Sequence, residues 1–147
     1  FSLGMLDREQ TRRKLDRVLD EMNRRNWDSF VVEQLEDDRF AGLCGLAAQE
    51  VDGADEIELG YRLMPEFWGR GLATEAARAC RDYALRTLGL PRIISIIEPD
   101  NVGSIRVAEK AGLRYERDTR KWDRVVRIYA LAAGRQSEMP SWSSRKA

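Results

Sequence analysis

Apolar and polar residues alternate along much of the chain, which predicts several strands that each bury one face. Residues 29–35 and 40–49 alternate on either side of a polar turn at 36–39, and this arrangement favours a hairpin. The alternation is most regular over 56–64. Every second residue there is apolar, so the side chains between them, Glu58 included, leave the sheet on the opposite face.

Helical spacing of apolar residues occurs in three segments, 8–25, 72–88 and 101–111. The first follows a capping box in which Asp7 is the N-cap and Gln10 is the third helical residue. Residues 93–97 are apolar without alternation, which is typical of a central strand covered on both faces. Two final strands are predicted over 113–118 and 125–131.

Strands that alternate with helices and end in a hairpin indicate an α+β or α/β sandwich around a mixed sheet. A chain of 147 residues is the size of one domain. We therefore predict one domain over 1–133. The remaining residues, 134–147, are rich in serine and are expected to form a flexible tail.

Composition excludes several kinds of site. The 25 basic and 25 acidic residues balance, so no overall field attracts nucleic acid or a membrane surface. The absence of histidine excludes a Ser-His-Asp triad, and with only two cysteines no metal site is predicted. Cys44 and Cys80 suit reduced, buried thiols better than a disulfide. With no signal peptide and no apolar run long enough for a membrane span, a cytoplasmic location is expected.

Two helix starts carry candidate binding chemistry. Gly69-Arg70-Gly71 separates a predicted strand from a helix, and backbone N–H groups at such a helix start can bind a phosphate. An ordinary strand-to-helix turn is the alternative. The next helix begins at Asn101-Val102-Gly103-Ser104, directly after the buried strand and Pro99. Two helix starts beside two strand ends predict a cleft.

The segments GYRLMPEFWGRGLATEA and EPDNVGSIRVAEKAGL resemble the GNAT superfamily of acetyl-CoA-dependent N-acetyltransferases, in the branch typified by the RimJ and RimL ribosomal-protein N-terminal acetyltransferases. The resemblance covers about 28–131 and is strongest over 56–113. Trp68 departs from the superfamily motif, which has Gln or Arg three places before the glycine that is Gly71 here. An aromatic-Trp-Gly segment such as Phe67-Trp68-Gly69 is common in the RimJ/RimL branch, so Trp68 narrows the resemblance to that branch.

The resemblance implies a GNAT-like twisted, mixed central sheet with helices on both faces, splayed between parallel strands 56–64 and 92–97, with acetyl-CoA as cosubstrate in the splay. Members usually have one more strand and helix ahead of the segment at Asp7. The chain starts at Phe1 without a methionine. We expect either a fragment, which we favour, or a short domain that leaves a sheet edge uncovered.

Arg70 adds a positive charge beside the loop, and Asn101 is a good N-cap whose family counterpart binds the pantetheine arm. Arg106 and Lys110 either bind the 3′-phosphate of coenzyme A or form a solvated helix face. The predicted cofactor-binding residues are Leu63, Met64, Gly69, Arg70, Gly71, Leu72, Ala73, Thr74, Asn101, Ser104, Arg106 and Lys110.

Two residues are predicted to carry the chemistry. Glu58 matches the family's carboxylate base, acting directly or through water, and burial would raise its pKa. The alternative is a surface glutamate paired with Arg62, and Glu56 is the reserve base. Ser104 matches the serine proposed to protonate the leaving thiolate, or to donate a hydrogen bond to it, and its alternative role is that of an early-helix residue.

These features predict acetyl transfer from acetyl-CoA to a primary amine of a protein N-terminus or a small molecule, by direct attack. A small-molecule enzyme acting on an antibiotic or polyamine is one alternative, and a non-enzymatic acyl-CoA-binding or regulatory domain is another. No nucleic acid or membrane partner is expected, and a homodimer is left open. An acidic patch is predicted to attract cationic acceptors and comprises Glu36, Asp37, Asp38, Asp52, Asp55, Glu56 and Glu58.

Overall fold

The computed structural model describes residues 7–10, 12–13, 16–17, 20 and 29–134. Every described residue of the predicted 8–25 helix is helical. Its capping box is confirmed, since the Gln10 N–H donates to Asp7 Oδ1 at 2.8 Å and the Asp7 N–H donates to Gln10 Oε1 at 3.0 Å. The remainder of that helix and the predicted tail beyond Gly134 lie outside the described residues.

Within residues 29–134, six strands form one mixed sheet in the order β1-β2-β3-β4-β6-β5. They are β1 (Ser29–Glu33), β2 (Phe40–Val51), β3 (Ala54–Leu63), β4 (Arg92–Ile97), β5 (Arg114–Lys121) and β6 (Arg124–Ala132). β3 and β4 are parallel, whereas every other neighbouring pair is antiparallel. The predicted mixed sheet, the hairpin of β1 with β2 and the interior position of β4 are confirmed.

Two tight turns make the hairpins longer than predicted. Asp52 and Gly53 join β2 to β3 with φ values of 52° and 78°, and Trp122 and Asp123 join β5 to β6 with φ values of 53° and 59°. Two-residue loops with positive φ at both positions match the twist of the flanking strands. The Asp-Gly pair carried this signal and was missed, whereas tryptophan at positive φ is uncommon and gives none.

Two helices connect the strands. α1 (Leu72–Asp82) continues as a π-helical turn over Tyr83–Thr87, so the predicted 72–88 helix is not α-helical throughout. α2 (Val102–Lys110) follows β4. Cationic side chains of α1 bind the carboxyl end of α2: Arg78 Nε donates to the Lys110 carbonyl at 3.2 Å, and Arg81 Nη1 donates to the Ala111 carbonyl at 2.8 Å.

The main core lies where α1 and α2 pack on one face of the sheet, and it includes Leu46, Leu59, Ala77, Cys80, Ile93, Ala108 and Leu131. A smaller cluster comprises Val51, Ile94, Val126 and Ile128. Cys44 and Cys80 are free, buried thiols within the main core. In the described part of the chain, no helix has the length and apolar character that a membrane span requires.

β3 and β4 share a single paired position, Glu58 with Ile94. One residue further on, the Ser95 hydroxyl donates to the Leu59 carbonyl at 2.7 Å. This side-chain bond satisfies a carbonyl where the ladder ends. The predicted splay between the two central parallel strands is therefore present, and it begins directly after Glu58.

Gly42 of β2 leaves no room for a side chain. An added Cβ would lie 2.1 Å from the Arg62 carbonyl oxygen and 2.7 Å from the Leu63 Cα, and both are backbone atoms of β3. We expect Gly42→Ala to lower the free energy of unfolding by more than about 2 kcal/mol in urea titrations.

Gly103→Ala is the matched control. A Cβ there meets nothing within 4 Å, and Gly103 lies in α2, where alanine is favoured over glycine by roughly 0.5–1 kcal/mol. Equal unfolding free energies for the two variants would contradict the proposed clash.

Candidate active site

The loop between β3 and α1 exposes backbone donors. Gly69 and Gly71 adopt left-handed φ values of 73° and 77°, and Gly71 is the N-cap of α1 without a side-chain cap. The first intrahelical bond runs from the Glu75 N–H to the Gly71 carbonyl at 3.0 Å. The N–H groups of Leu72, Ala73 and Thr74 precede it and so have no intrahelical partner. A Cβ on either glycine would meet nothing within 4 Å, so an anion has room to approach.

The turn between β1 and β2 supports this loop. The buried Phe67 ring lies 5.2 Å from the Arg39 guanidinium and 5.7 Å from that of Arg70. Arg39 Nη2 also pairs with Glu66 Oε2 at 2.6 Å, and Arg70 Nη1 donates to Gln34 Oε1 at 3.1 Å. Two cations therefore flank the loop. Arg39 was missed by the sequence analysis because it is far from the loop along the chain.

Leu63 and Met64, predicted to contact the cofactor, have backbone groups already engaged. Trp68 Nε1 donates to the Leu63 carbonyl at 2.9 Å, although the indole is 66% exposed. The Met64 N–H donates to the Ala41 carbonyl at 2.8 Å, and the Met64 carbonyl accepts from the Phe67 N–H at 2.9 Å. Of these groups, only the Met64 N–H would have to exchange its bond to bind the cofactor, since each carbonyl oxygen has a second lone pair.

The start of α2 lies at the same edge of the sheet as the glycine loop, because β3 and β4 are parallel and each precedes one of them. Asn101 is the N-cap, and its Oδ1 accepts from the Ser104 N–H at 3.2 Å. Arg106 and Lys110 are exposed further along α2. The structure thus brings the two predicted helix starts together beside the gap between β3 and β4.

Ser104 has a second partner. The Tyr61 hydroxyl donates to the Ser104 carbonyl at 2.5 Å, which joins β3 to the first turn of α2. Burial raises the pKa of Tyr61 above its usual range. The sequence analysis placed Tyr61 on the apolar face of β3 and gave no sign of this hydrogen bond.

Glu58 is buried, with 3% of its surface exposed, and Gln49 Nε2 donates to its Oε2 at 2.8 Å. Burial raises the pKa of Glu58, while the Gln49 hydrogen bond and the positive charge of Lys121 act in the opposite direction. The alternative of a surface glutamate paired with Arg62 is wrong, because the carboxylate is enclosed and bound by Gln49.

Glu56, the reserve base, is held in an ion pair. Arg92 Nη2 lies 3.0 Å from Glu56 Oε1, and Arg92 Nη1 lies 2.7 Å from Glu116 Oε1. Arg92 donates to both carboxylate oxygens of Glu56, which leaves them less accessible to an acceptor amine. Of the two glutamates, Glu58 is therefore the better candidate base.

The predicted acidic patch does not form one surface. Residues 36–38 lie at one end of β2 and Asp52 lies beyond its other end, roughly 36 Å away for an extended strand of this length. Asp52 is bound by Arg117 at 2.8 Å and by the Thr119 hydroxyl at 2.6 Å. The prediction was wrong because hairpin topology separates acidic residues that are close along the chain.

A family model described as "Acetyltransferase (GNAT) domain" matches residues 3–114. The chain belongs to the GNAT acetyltransferase family. The Bacillus subtilis protein YkkB is 34% identical over 131 residues, which cover 86% of this chain and 73% of YkkB. Spermidine N(1)-acetyltransferase of Escherichia coli is 34% identical over 88 residues, covering 59% of this GNAT domain but only 45% of the enzyme.

Solved GNAT structures share the fold. An acetyltransferase from Agrobacterium tumefaciens is 29% identical, with a TM-score of 0.74 over 87% of this chain and 74% of its own. RimL, a ribosomal L7/L12 alpha-N-protein acetyltransferase solved with coenzyme A, has a TM-score of 0.73 at 19% identity, covering 86% and 73% of the two chains. This second likeness shows the fold alone. As a GNAT acetyltransferase, the domain is an acyltransferase that uses acetyl-CoA.

The buried carboxylate of Glu58 predicts an unusual pH dependence of stability. Because its pKa is raised on folding, its contribution is fully present below the unfolded value of about 4.3 and is lost as the pH rises through the folded value. Glu58→Gln should therefore be more stable than the parent at pH 8, and the difference should shrink towards pH 4. Urea titrations across this range measure it.

Glu116→Gln is the control variant, for which the expected change in stability at pH 8 has the opposite sign. Hydrogen bonds from Arg92 lower the pKa of Glu116, so its contribution is present above about pH 4.3 and is lost on acidification. This variant should be less stable than the parent at pH 8, by a small amount because the pair is partly exposed. A Glu58→Gln protein that is also destabilised at pH 8 would contradict the burial argument.

Proposed function

We propose that this GNAT domain transfers the acetyl group of acetyl-CoA to a primary amine by direct attack, with Glu58 as general base. The observation that carries the proposal is a buried, hydrogen-bonded carboxylate at the level where β3 and β4 separate. Both helix starts lie at the edge of the sheet towards which the gap opens. Because burial raises the pKa of Glu58, its carboxylate is a stronger proton acceptor than that of an exposed glutamate.

The glycine loop is proposed to hold the pyrophosphate of the cosubstrate. The first-turn N–H groups of α1 and the Arg70 guanidinium supply donors and positive charge, and the space above Gly69 and Gly71 is open. Asn101 Oδ1 is already used by Ser104, so its Nδ2 amide is the group left to donate to the pantetheine arm. Arg106 and Lys110 are proposed to face the 3′-phosphate.

The proposed reaction needs one base and one group that stabilises the departing sulfur. Glu58 takes one proton from the acceptor ammonium, and the resulting amine forms the new C–N bond as the C–S bond breaks. The nitrogen then loses a second proton, which the departing thiolate takes up to give the free thiol. Ser104 lies in the first turn of α2, where the helix dipole favours negative charge. Its hydroxyl is proposed to donate a hydrogen bond to the thiolate, which leaves with the bonding electron pair.

The acceptor is proposed to be a protein N-terminus or a small-molecule amine. The Phe67-Trp68-Gly69 segment supports a RimJ/RimL-like branch, whereas the partial match to a spermidine acetyltransferase favours a small polyamine. The separated acidic groups weaken the argument for a polycationic acceptor. Two free, buried thiols suit a reducing compartment, so we propose the cytoplasm.

Acetyl-CoA turnover with a panel of acceptors tests this function. The panel comprises peptides with free N-termini, lysine peptides with blocked N-termini, polyamines and aminoglycosides, and thiol release is the readout. Turnover with one class supports the proposal and names the acceptor. Binding of acetyl-CoA without turnover on any amine would favour the non-enzymatic acyl-CoA-binding alternative.

Gly71→Val tests the cofactor loop. The added side chain should occupy the approach to the α1 donors and weaken acetyl-CoA binding by at least about 100-fold in calorimetry, equivalent to roughly 2.7 kcal/mol. Gly53→Val is the matched control, since Gly53 has φ 78° against 77° for Gly71 and open space around it, but lies in the β2–β3 turn. Equal affinities for the two variants would refute the loop assignment.

Glu58→Gln and Ser104→Ala should differ in their pH–rate profiles. Without the base, kcat/KM should fall by something like 100-fold at neutral pH and recover partly at high pH, where the amine deprotonates itself. The Ser104→Ala defect should persist across that range with nearly normal acetyl-CoA affinity. A parental profile for folded Glu58→Gln would rule out Glu58 as the base.

A further inference from the structure

Tyr61 connects the two walls of the gap. It lies on β3, three residues after Glu58, and its hydroxyl donates to the Ser104 carbonyl in the first turn of α2 at 2.5 Å. The Tyr61 ring packs against the main core between the sheet and the helices. Ring packing on a strand fixes the hydroxyl, so this hydrogen bond holds the helix start against a rigid reference.

Both backbone groups of Ser104 are thereby held. The Asn101 side chain accepts from its N–H at 3.2 Å, and Tyr61 donates to its carbonyl. The Ala108 N–H also lies beside the Tyr61 oxygen, one turn further along α2. Tyr61 therefore meets α2 where the Ser104 carbonyl and the Ala108 N–H adjoin, and this contact restrains the Cα of Ser104 relative to β3.

We infer that Tyr61 is a positioning residue for acetyl transfer, which acts by fixing the backbone of Ser104 relative to the strand that carries Glu58. The inference rests on the proposed role of Ser104. β3 then sets the places of both chemical groups, because Glu58 is part of it and Ser104 is bound to it. Misplacing a catalytic group by about 1 Å can cost up to 100-fold in rate.

Tyr61 is not itself the proton donor. Its hydroxyl hydrogen is already given to a backbone carbonyl, and burial makes the phenol harder to ionise. Its contribution should therefore disappear when the Ser104 hydroxyl is absent, which separates it from an independent acid.

Tyr61→Phe keeps the packed ring and removes only the hydroxyl. We expect kcat to fall roughly 10-fold while the acetyl-CoA dissociation constant changes less than about 3-fold. In a Ser104→Ala background the same substitution should change kcat less than about 2-fold, since residues that act together are not additive. Tyr115→Phe, which removes an exposed hydroxyl bonded to Asp118 at 3.2 Å, should retain parental kcat.

Amide hydrogen exchange measures how firmly the start of α2 is anchored and does not require acetyl transfer. Amides over 101–108 should exchange roughly 10-fold faster in Tyr61→Phe than in Tyr115→Phe, because the first turn of α2 has lost an anchor. Equal exchange rates in the two variants would overturn the inference, whether or not the parent protein catalyses acetyl transfer. An equal loss of kcat in the parent and Ser104→Ala backgrounds would also overturn it. No acetyl transfer by the parent would instead refute the proposed function, while the exchange result would still decide whether Tyr61 anchors the helix.

Discussion

β3 and β4 pair through Glu58 and Ile94 and then diverge, which leaves backbone groups on both strands without ladder partners. The Ser95 hydroxyl donates to one of these groups, the Leu59 carbonyl. The Tyr61 hydroxyl, further along β3, donates to the Ser104 carbonyl of α2. Because β3 and β4 are parallel, the gap between them opens at the edge where both helix starts lie, so the candidate site depends on this interrupted pairing.

Ion pairs stabilise the other end of β3 and β4, away from the gap. Arg92 of β4 binds Glu56 of β3 and Glu116 of β5, and Arg117 of β5 binds Asp52 in the β2–β3 turn. These ion pairs bridge the strands on the two sides of the gap at the end where β3 and β4 begin. The central strands therefore form a wedge that is closed at one end, and Glu58 lies where the wedge starts to open.

Periodicity predicted the strands, the helices and the interior position of β4, because burial of one face imposes the period of each element. It could not supply contacts between residues distant in sequence, such as Tyr61 with Ser104 or Arg39 with Phe67. These contacts depend on how elements pack, which a local pattern does not encode. The strand-to-helix pattern located the glycine loop, the resemblance assigned the role of base to Glu58, and the burial of Glu58 supports that prediction. The roles of the predicted site residues remain predictions.

Each half of the sheet is formed by a continuous stretch of chain. Residues 29–63 supply β1, β2 and β3, and residues 92–132 supply β4, β5 and β6, with α1 as the crossover between them. All strand pairs within a half are antiparallel, so sequence-local hairpin pairs predominate in each. A single β3–β4 backbone pair and the ion pairs of Arg92 and Arg117 join the two ladders. Because the main core takes side chains from both halves, the two ladders are united chiefly by packing beneath the shared helices and only slightly by backbone pairing.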